Sequence, residues 1–136
     1  MWGLGRVEEG VLKLSGIEHV GEVSHAALPG ALAGTDAFII PYRISPLTRG
    51  ISPAKIFECL ATGKPVVASP LPELRGLSEH VYLADGPEEF VSVLRRLPEL
   101  ETEEKVWARL NLARQNSWEA RFREIEAALW RALSSG

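Results

Sequence analysis

The sequence predicts an α/β layered fold built on a mainly parallel sheet, with a helical C-terminus. Three observations lead there. Short apolar runs such as Ala37-Phe38-Ile39-Ile40 and Pro65-Val66-Val67-Ala68 do not alternate with polar residues, as strands buried on both faces do not. Segments of helical period separate these runs, and strands alternating with helices favour parallel pairing. After the last apolar run, three helical patterns follow one another to the end of the chain.

In chain order, Trp2 to Leu4 reads as a short strand, Val7 to Leu14 has helical spacing, and Ile17 to Val20 is a second strand ended by Gly21. Ser24 is placed to cap a helix running to about Ala33, with Pro29 either starting its main turn or kinking it. The strand Ala37–Ile40 stops at Pro41, and Tyr42 to Ile51 forms a loop of polar and turn-forming residues. Ser52-Pro53 then opens a helix with a hydroxyl at the cap and proline at the first helical position. That helix ends at Gly63. The strand from Pro65 to Ala68 follows, then a turn bracketed by Pro70 and Pro72, a short helix near Glu73, and a last strand from Val81 to Ala84. An amphipathic helix from Pro87 to Leu97 carries Phe90, Val91, Leu94 and Leu97 on one side. Helices over about Thr102–Gln115 and Trp118–Leu133 complete the chain, the last capped by Ser117.

The 136 residues suffice for one domain with a modest core. Hydrophobic residues make up 46% and charged residues 24%, the composition of an ordinary globular chain. A net charge of −3 argues against nucleic acid, since no basic excess exists to neutralise phosphates. No apolar stretch approaches the ~18 residues that cross a bilayer, and Met1-Trp2-Gly3-Leu4-Gly5 shows no basic region followed by an apolar core, so no signal peptide is expected. A cytoplasmic setting follows from the lone Cys59, which cannot form an internal disulfide. Attachment to a membrane surface stays open, although no basic amphipathic helix supports it. Cys59 lies among Phe57, Leu60 and Ala61 and reads as a packing thiol. His19, His25 and His80 show no paired spacing, so no metal site is expected.

Ligands of open parallel sheets bind beyond the carboxyl ends of the strands, beside helix starts. The helix opening at Ser52 is therefore the place to look. Ser52, Pro53, Ala54 and Lys55 would be its cap and first three positions, where unpaired N–H groups favour anions. Lys55 carries the wrong sign for an unliganded helix start. Ile56, Phe57, Leu60 and Ala61 form the apolar stripe, while Lys55, Glu58 and Thr62 share the other side. The plain reading is a solvated face with a Lys55–Glu58 pair. The functional reading gives backbone amides and Lys55 a diphosphate, and gives Glu58 a ribose diol that its two oxygens can bind. Arg43, Thr48 and Arg49 in the preceding loop could close over the same charge.

The stretch Ser52-Pro53-Ala54-Lys55-Ile56-Phe57-Glu58-Cys59-Leu60-Ala61-Thr62-Gly63-Lys64-Pro65-Val66-Val67 resembles the C-terminal, donor-binding domain of GT-B glycosyltransferases that retain anomeric configuration. It is similar to members related to teichuronic-acid and exopolysaccharide glycosyltransferases. His19-Val20-Gly21-Glu22-Val23, Leu28-Pro29-Gly30-Ala31-Leu32, Thr35 to Pro41, Ser69 to Glu73 and Asn116-Ser117-Trp118 fit the same pattern. The resemblance implies a Rossmann-like sheet with helices on both faces. It also implies transfer of a sugar from a UDP- or GDP-linked donor to an acceptor, with no cofactor and generally no bound metal. On this reading residues 1–136 are one partial donor-binding domain, with a sheet-and-helix core to about residue 100 and helices beyond it.

Many relatives carry two glutamates around this helix; Glu58 matches the second, and Gly50 stands where the first would be. The family's strand order resembles 3-2-1-4-5-6, and this chain would begin near strand 2. The central strand and the acceptor domain would then be missing partners. Self-association through the edges of Trp2–Leu4 and Ala37–Ile40 is expected, because unpaired strand edges seek partners. No residue here is assigned as catalytic. A non-catalytic nucleotide-binding or interaction module of the same fold is the alternative. A receiver-like signalling domain ranks last, since Asp36 stands alone near a strand end.

Overall fold

The computed structural model describes residues 2–4, 13 and 15–134, the first three by their backbone alone. Apart from Lys13, the helix expected over Val7 to Leu14 lies outside the described residues. The chain divides into two units, residues 1–35 and 36–136.

In the first unit, β1 (Trp2–Leu4) pairs in parallel with β2 (Glu18–Gly21). Trp2 faces Glu18, Gly3 faces His19, and the register slips before Leu4 meets Gly21. Gly21 closes β2 at φ +83°, a conformation that side-chain-bearing residues rarely adopt. The helix expected from Ser24 to Ala33 is divided. A 3₁₀ turn, His25–Ala27, precedes α1 (Leu28–Ala33). Pro29 explains the division: it has no N–H for the carbonyl four residues back, and its ring crowds that carbonyl. Ser24 serves through its carbonyl, which accepts from Ala27 N–H at 3.0 Å and Leu28 N–H at 3.1 Å, and its hydroxyl makes no cap bond.

The second unit holds the sheet that the apolar runs predict. β3 (Phe38–Ile40), β4 (Val66–Ala68) and β5 (Tyr82–Leu83) are all parallel and lie in that order. Phe38 is in register with Val66, Ile40 with Ala68, and Val67 with Tyr82. Every residue of β4 is fully buried. Its alternation divides the core into two layers. Val66 and Ala68 join Ile40, Ile56, Leu60, Leu71, Leu74 and Val81 on one face. Val67 joins Ala84 and Leu97 on the other, with Phe90, Val93 and Leu94 packed against them. Each buried valine or leucine contributes roughly 1.5–3 kcal/mol of transfer free energy, so the two layers account for helices on both faces of the sheet.

The helices follow from these layers. α2 (Lys55–Leu60) and α3 (Pro72–Arg75) cover the first face. α4 (Pro87–Leu100) covers the second with Phe90, Val93, Leu94 and Leu97, whereas Val91, expected on that side, is exposed. It starts after Gly86, at φ +83°, and continues through Pro98, three residues beyond the end expected at Leu97. Pro98 is exposed, and the Glu101 N–H resumes the ladder by donating to Leu97 at 3.0 Å. α5 (Glu103–Gln115) packs on α2 and is capped by Thr102, whose hydroxyl accepts from Lys105 N–H. α6 (Trp118–Ser134) starts as its cap chemistry predicts, with Ser117 Oγ accepting from Ala120 N–H at 3.2 Å. It contains no buried residue. Among the described residues, no helix is long and apolar enough to cross a membrane.

Candidate functional site

The loop of residues 41–54 leaves the carboxyl end of β3 and delivers the chain to α2. Parallel sheets collect their ligands at that edge. The loop is shaped by its own side chains. Thr48 Oγ1 donates to the Arg43 carbonyl at 2.7 Å and accepts from Ser45 N–H at 2.8 Å. Ser45 Oγ in turn accepts from Thr48 N–H at 3.2 Å. A 3₁₀ turn, Thr48–Gly50, follows and lies against α3. Thr48, expected as a loop contact for a ligand, therefore has its hydroxyl engaged in holding the loop. Arg43 and Arg49, at the two ends of this braced segment, are both exposed.

The start of α2 differs in detail from the sequence expectation. Ala54, not Ser52, holds the cap position, with no side-chain cap bond, and Lys55 opens the helix. Ile56 N–H donates to Pro53 at 2.9 Å and Phe57 N–H to Ala54 at 3.1 Å, a tighter turn than an α-helix makes. Pro53 is buried while Ser52 on one side and Ala54 on the other are exposed, so the proline ring anchors the entry and the serine hydroxyl stays outside it. Among the described residues, the N–H groups of Ala54 and Lys55 donate to no carbonyl.

Lys55 and Glu58 are both exposed, whereas Ile56 and Leu60 are 1% and 0% exposed. The pair that the plain reading supposes is not formed. The ion pairs Arg109–Glu101 and Arg121–Glu124 include neither Lys55 nor Glu58. Lys55, Glu58, Arg43 and Arg49 thus present unpaired charge to solvent around the α2 start and the loop before it. Cys59, half-buried behind them, is inert as it stands. Burial pushes its thiol up to about 11, the Glu58 carboxylate adds to the rise and Lys55 opposes it. A protonated thiol is a poor nucleophile and metal ligand. No group of three or more His, Cys, Asp or Glu suited to a metal ion occurs among the described residues.

The opposite end of α2 carries a constellation that the sequence reading missed. Gly63, buried at φ +74°, turns the chain out of the helix towards β4. Its carbonyl accepts from Arg109 Nε at 2.9 Å, and Arg109 is 1% exposed. The Arg109 guanidinium forks onto both oxygens of Glu101. Glu101 Oε1 also accepts from Tyr82 OH at 2.7 Å. Lys105 Nζ donates to Tyr82 OH at 3.0 Å and to the Leu100 carbonyl at 2.8 Å. Burial would raise the Glu101 carboxyl, but the bonds from Arg109 and Tyr82 outweigh it and hold it below its ordinary value. One signal was available in the sequence: Arg109 shares a helical face with Val106 and Ala113, so a charge sits on an apolar stripe.

A family model described as glycosyl transferase-like matches residues 2–127. The chain belongs to that family. Within it, the chain is 32% identical over 120 residues to TuaH of Bacillus subtilis (strain 168), a protein assigned as a teichuronic acid biosynthesis glycosyltransferase. The match covers 85% of this chain and 30% of TuaH. In this glycosyl transferase-like family member, both the α2 start and the Gly63–Arg109 clamp lie inside the family match.

Proposed function

We propose that this chain binds the nucleoside diphosphate part of a sugar donor, as the donor-binding portion of a GT-B glycosyltransferase. The observation that carries the reading is the α2 start. Lys55 and Glu58, three residues apart on one side of a helix, stand unpaired and exposed beyond the carboxyl end of a parallel strand. Lys55, with the free amides of Ala54 and Lys55, meets the diphosphate, and Arg43 and Arg49 approach it from the loop. Glu58 accepts hydrogen bonds from the ribose hydroxyls, which suits a carboxylate because it only accepts. Ser52 and Pro53 set the entry of the chain to this tip. In the reaction, the bond between the anomeric carbon and the diphosphate oxygen breaks. A bond to an acceptor hydroxyl oxygen forms, and that hydroxyl loses its proton. Preorganised cations stabilise charge gathering on the departing diphosphate, a task these groups can perform without a metal.

The chain spans about 30% of the length of TuaH, and we assign the acceptor site to a region outside these residues. The strand pairing supports a donor domain without its first strand. An order 3-2-1-4-5-6 lacking strand 1 leaves two hydrogen-bonded groups, β2-β1 and β3-β4-β5, and those are the groups found among the described residues.

Calorimetric titration with UDP and GDP tests the proposal. Binding of one of them, weakened about tenfold (1.4 kcal/mol) in both Lys55→Ala and Glu58→Ala, is the expected result. Affinity unchanged in both variants refutes the site.

A further inference from the structure

α2 is 6 residues long, and an isolated helix of fewer than ~12 residues is marginal in water. Its position therefore comes from what grips it. Along its length the grip is apolar, through buried Ile56 and Leu60. Apolar packing has no direction, so it fixes the buried face of α2 better than its place along the axis. The exit of the helix supplies the direction. Thr62 Oγ1 donates to the Cys59 carbonyl at 2.6 Å and accepts from Lys64 N–H at 3.1 Å, which closes the last turn. Gly63 then offers its carbonyl to Arg109 Nε at 2.9 Å. Arg109 is anchored on its other side. Its two remaining nitrogens donate to Glu101, and Glu101 is held by the hydroxyl of Tyr82, a residue of β5, at 2.7 Å. Lys105 Nζ ties Tyr82 OH to the Leu100 carbonyl. A continuous line of bonds thus runs from the sheet through Tyr82, Glu101 and Arg109 to the end of α2, all within the unit of residues 36–136.

We propose that Arg109 is a positioning residue for donor binding: it sets α2 along its axis, and so sets where Lys55 and Glu58 meet the nucleotide. The inference rests on the donor reading given above. Arg109 itself touches no part of the donor, because from Lys55 to Gly63 the chain advances about 12 Å at ~1.5 Å per residue. It acts through the Gly63 carbonyl. A charge-assisted, planar fork has the directionality that apolar packing lacks, and a shift of α2 by a fraction of a turn would move both site residues together. Substitutions at sites this far apart, with no shared partner, normally add in their effects. Failure to add is the mark of a residue that works through the other site.

Calorimetry of the full chain with UDP and GDP decides the matter, at a temperature where near-ultraviolet circular dichroism shows each variant folded. A residue that only stabilises the fold lowers the melting temperature and leaves the affinity of the folded protein alone. Arg109→Met is expected to weaken nucleotide binding about tenfold. The double variant Lys55→Ala/Arg109→Met should lose little more than either single variant, where independent effects would multiply to about a hundredfold. Tyr82→Phe keeps the ring and removes its bond to Glu101, and should weaken binding about threefold. It carries the same test should Arg109→Met fail to fold. Wild-type affinity in folded Arg109→Met, or in Tyr82→Phe if that variant stands in for it, overturns the proposal. So does a multiplied loss in the double variant. If Lys55→Ala and Glu58→Ala leave binding unchanged, the donor site falls and the role of Arg109 falls with it. If those two weaken binding and the clamp variants do not, the donor site stands and only the role of Arg109 is lost.

Discussion

The two ends of α2 treat charge in opposite ways. At its start, Lys55 and Glu58 stand in solvent without partners, next to exposed Arg43 and Arg49. At its end, Arg109 is buried, and each nitrogen of its guanidinium donates to Gly63 or Glu101. A buried charge must be paired, because leaving it unmatched costs several kcal/mol. An exposed charge can remain unpaired at little cost. The clamped end therefore belongs to the scaffold, and the open end is free to meet a ligand. The clamp also serves the opening, since a helix fixed at its C-terminal turn holds its first residues at a fixed place on the sheet edge.

Breaking the clamp should have the largest effect. Arg109→Met removes the partner of the Gly63 carbonyl and of Glu101 Oε2, leaving only Tyr82 OH on that carboxylate, and we expect a loss of about 3 kcal/mol, read as a lower urea midpoint. Arg109→Lys should restore little, because a lysine cannot fork onto a carboxylate while bonding Gly63. Next comes Gly63→Ala. The new Cβ would lie 3.0 Å from Val106 Cγ1, and its φ of +74° is strained for alanine. A loss of roughly 1–3 kcal/mol follows, measured by the same unfolding curve. The third test uses acid. Glu101 titrates lower in the folded chain than in the unfolded one. Its contribution is therefore complete above the ordinary carboxyl value and is lost as pH falls through the folded value. Thermal melts of Glu101→Gln should start lower than wild type at neutral pH and show a shallower decline below about pH 4.5. A wild-type slope unchanged by the substitution would show that other carboxyls carry the acid response. The smallest stability effect belongs to the open end. Lys55→Ala and Glu58→Ala should stay within about 0.5 kcal/mol of wild type while losing nucleotide affinity. If either destabilises the chain as much as Arg109→Met, the contrast between the two ends disappears.

Much of the sheet was legible because its information is local. The unbroken apolar runs at β3 and β4 could be satisfied only by cover on both faces, and both faces are covered. Ser117 was readable as a cap for the same reason, since its hydroxyl serves an amide three residues away. The start of α2 was misread by two residues. Ser52-Pro53 carries a good local signal, yet burial of Pro53 determined the entry and left the hydroxyl outside. The continuation of α4 through Pro98 was missed because packing of Phe90, Val93, Leu94 and Leu97 outweighs one lost backbone bond. The Arg109 clamp was beyond reach from spacing, since Gly63 lies 46 residues away in sequence. At the candidate site, the residue types were legible on α2. The braced form of the loop was not, because nothing in the order Arg43, Ser45, Thr48 says which atom the threonine hydroxyl will choose.

That choice has a thermodynamic consequence. With Thr48 already spanning from Arg43 to Ser45, the loop has surrendered its backbone freedom before any ligand arrives. A nucleotide drawn in by the flanking arginines would then have only their side-chain rotamers to immobilise, at roughly 0.5–1.5 kcal/mol each, while the main chain keeps its form. Replacing Thr48 with valine should accordingly appear in calorimetry as a more unfavourable binding entropy, with the ionic contacts themselves intact.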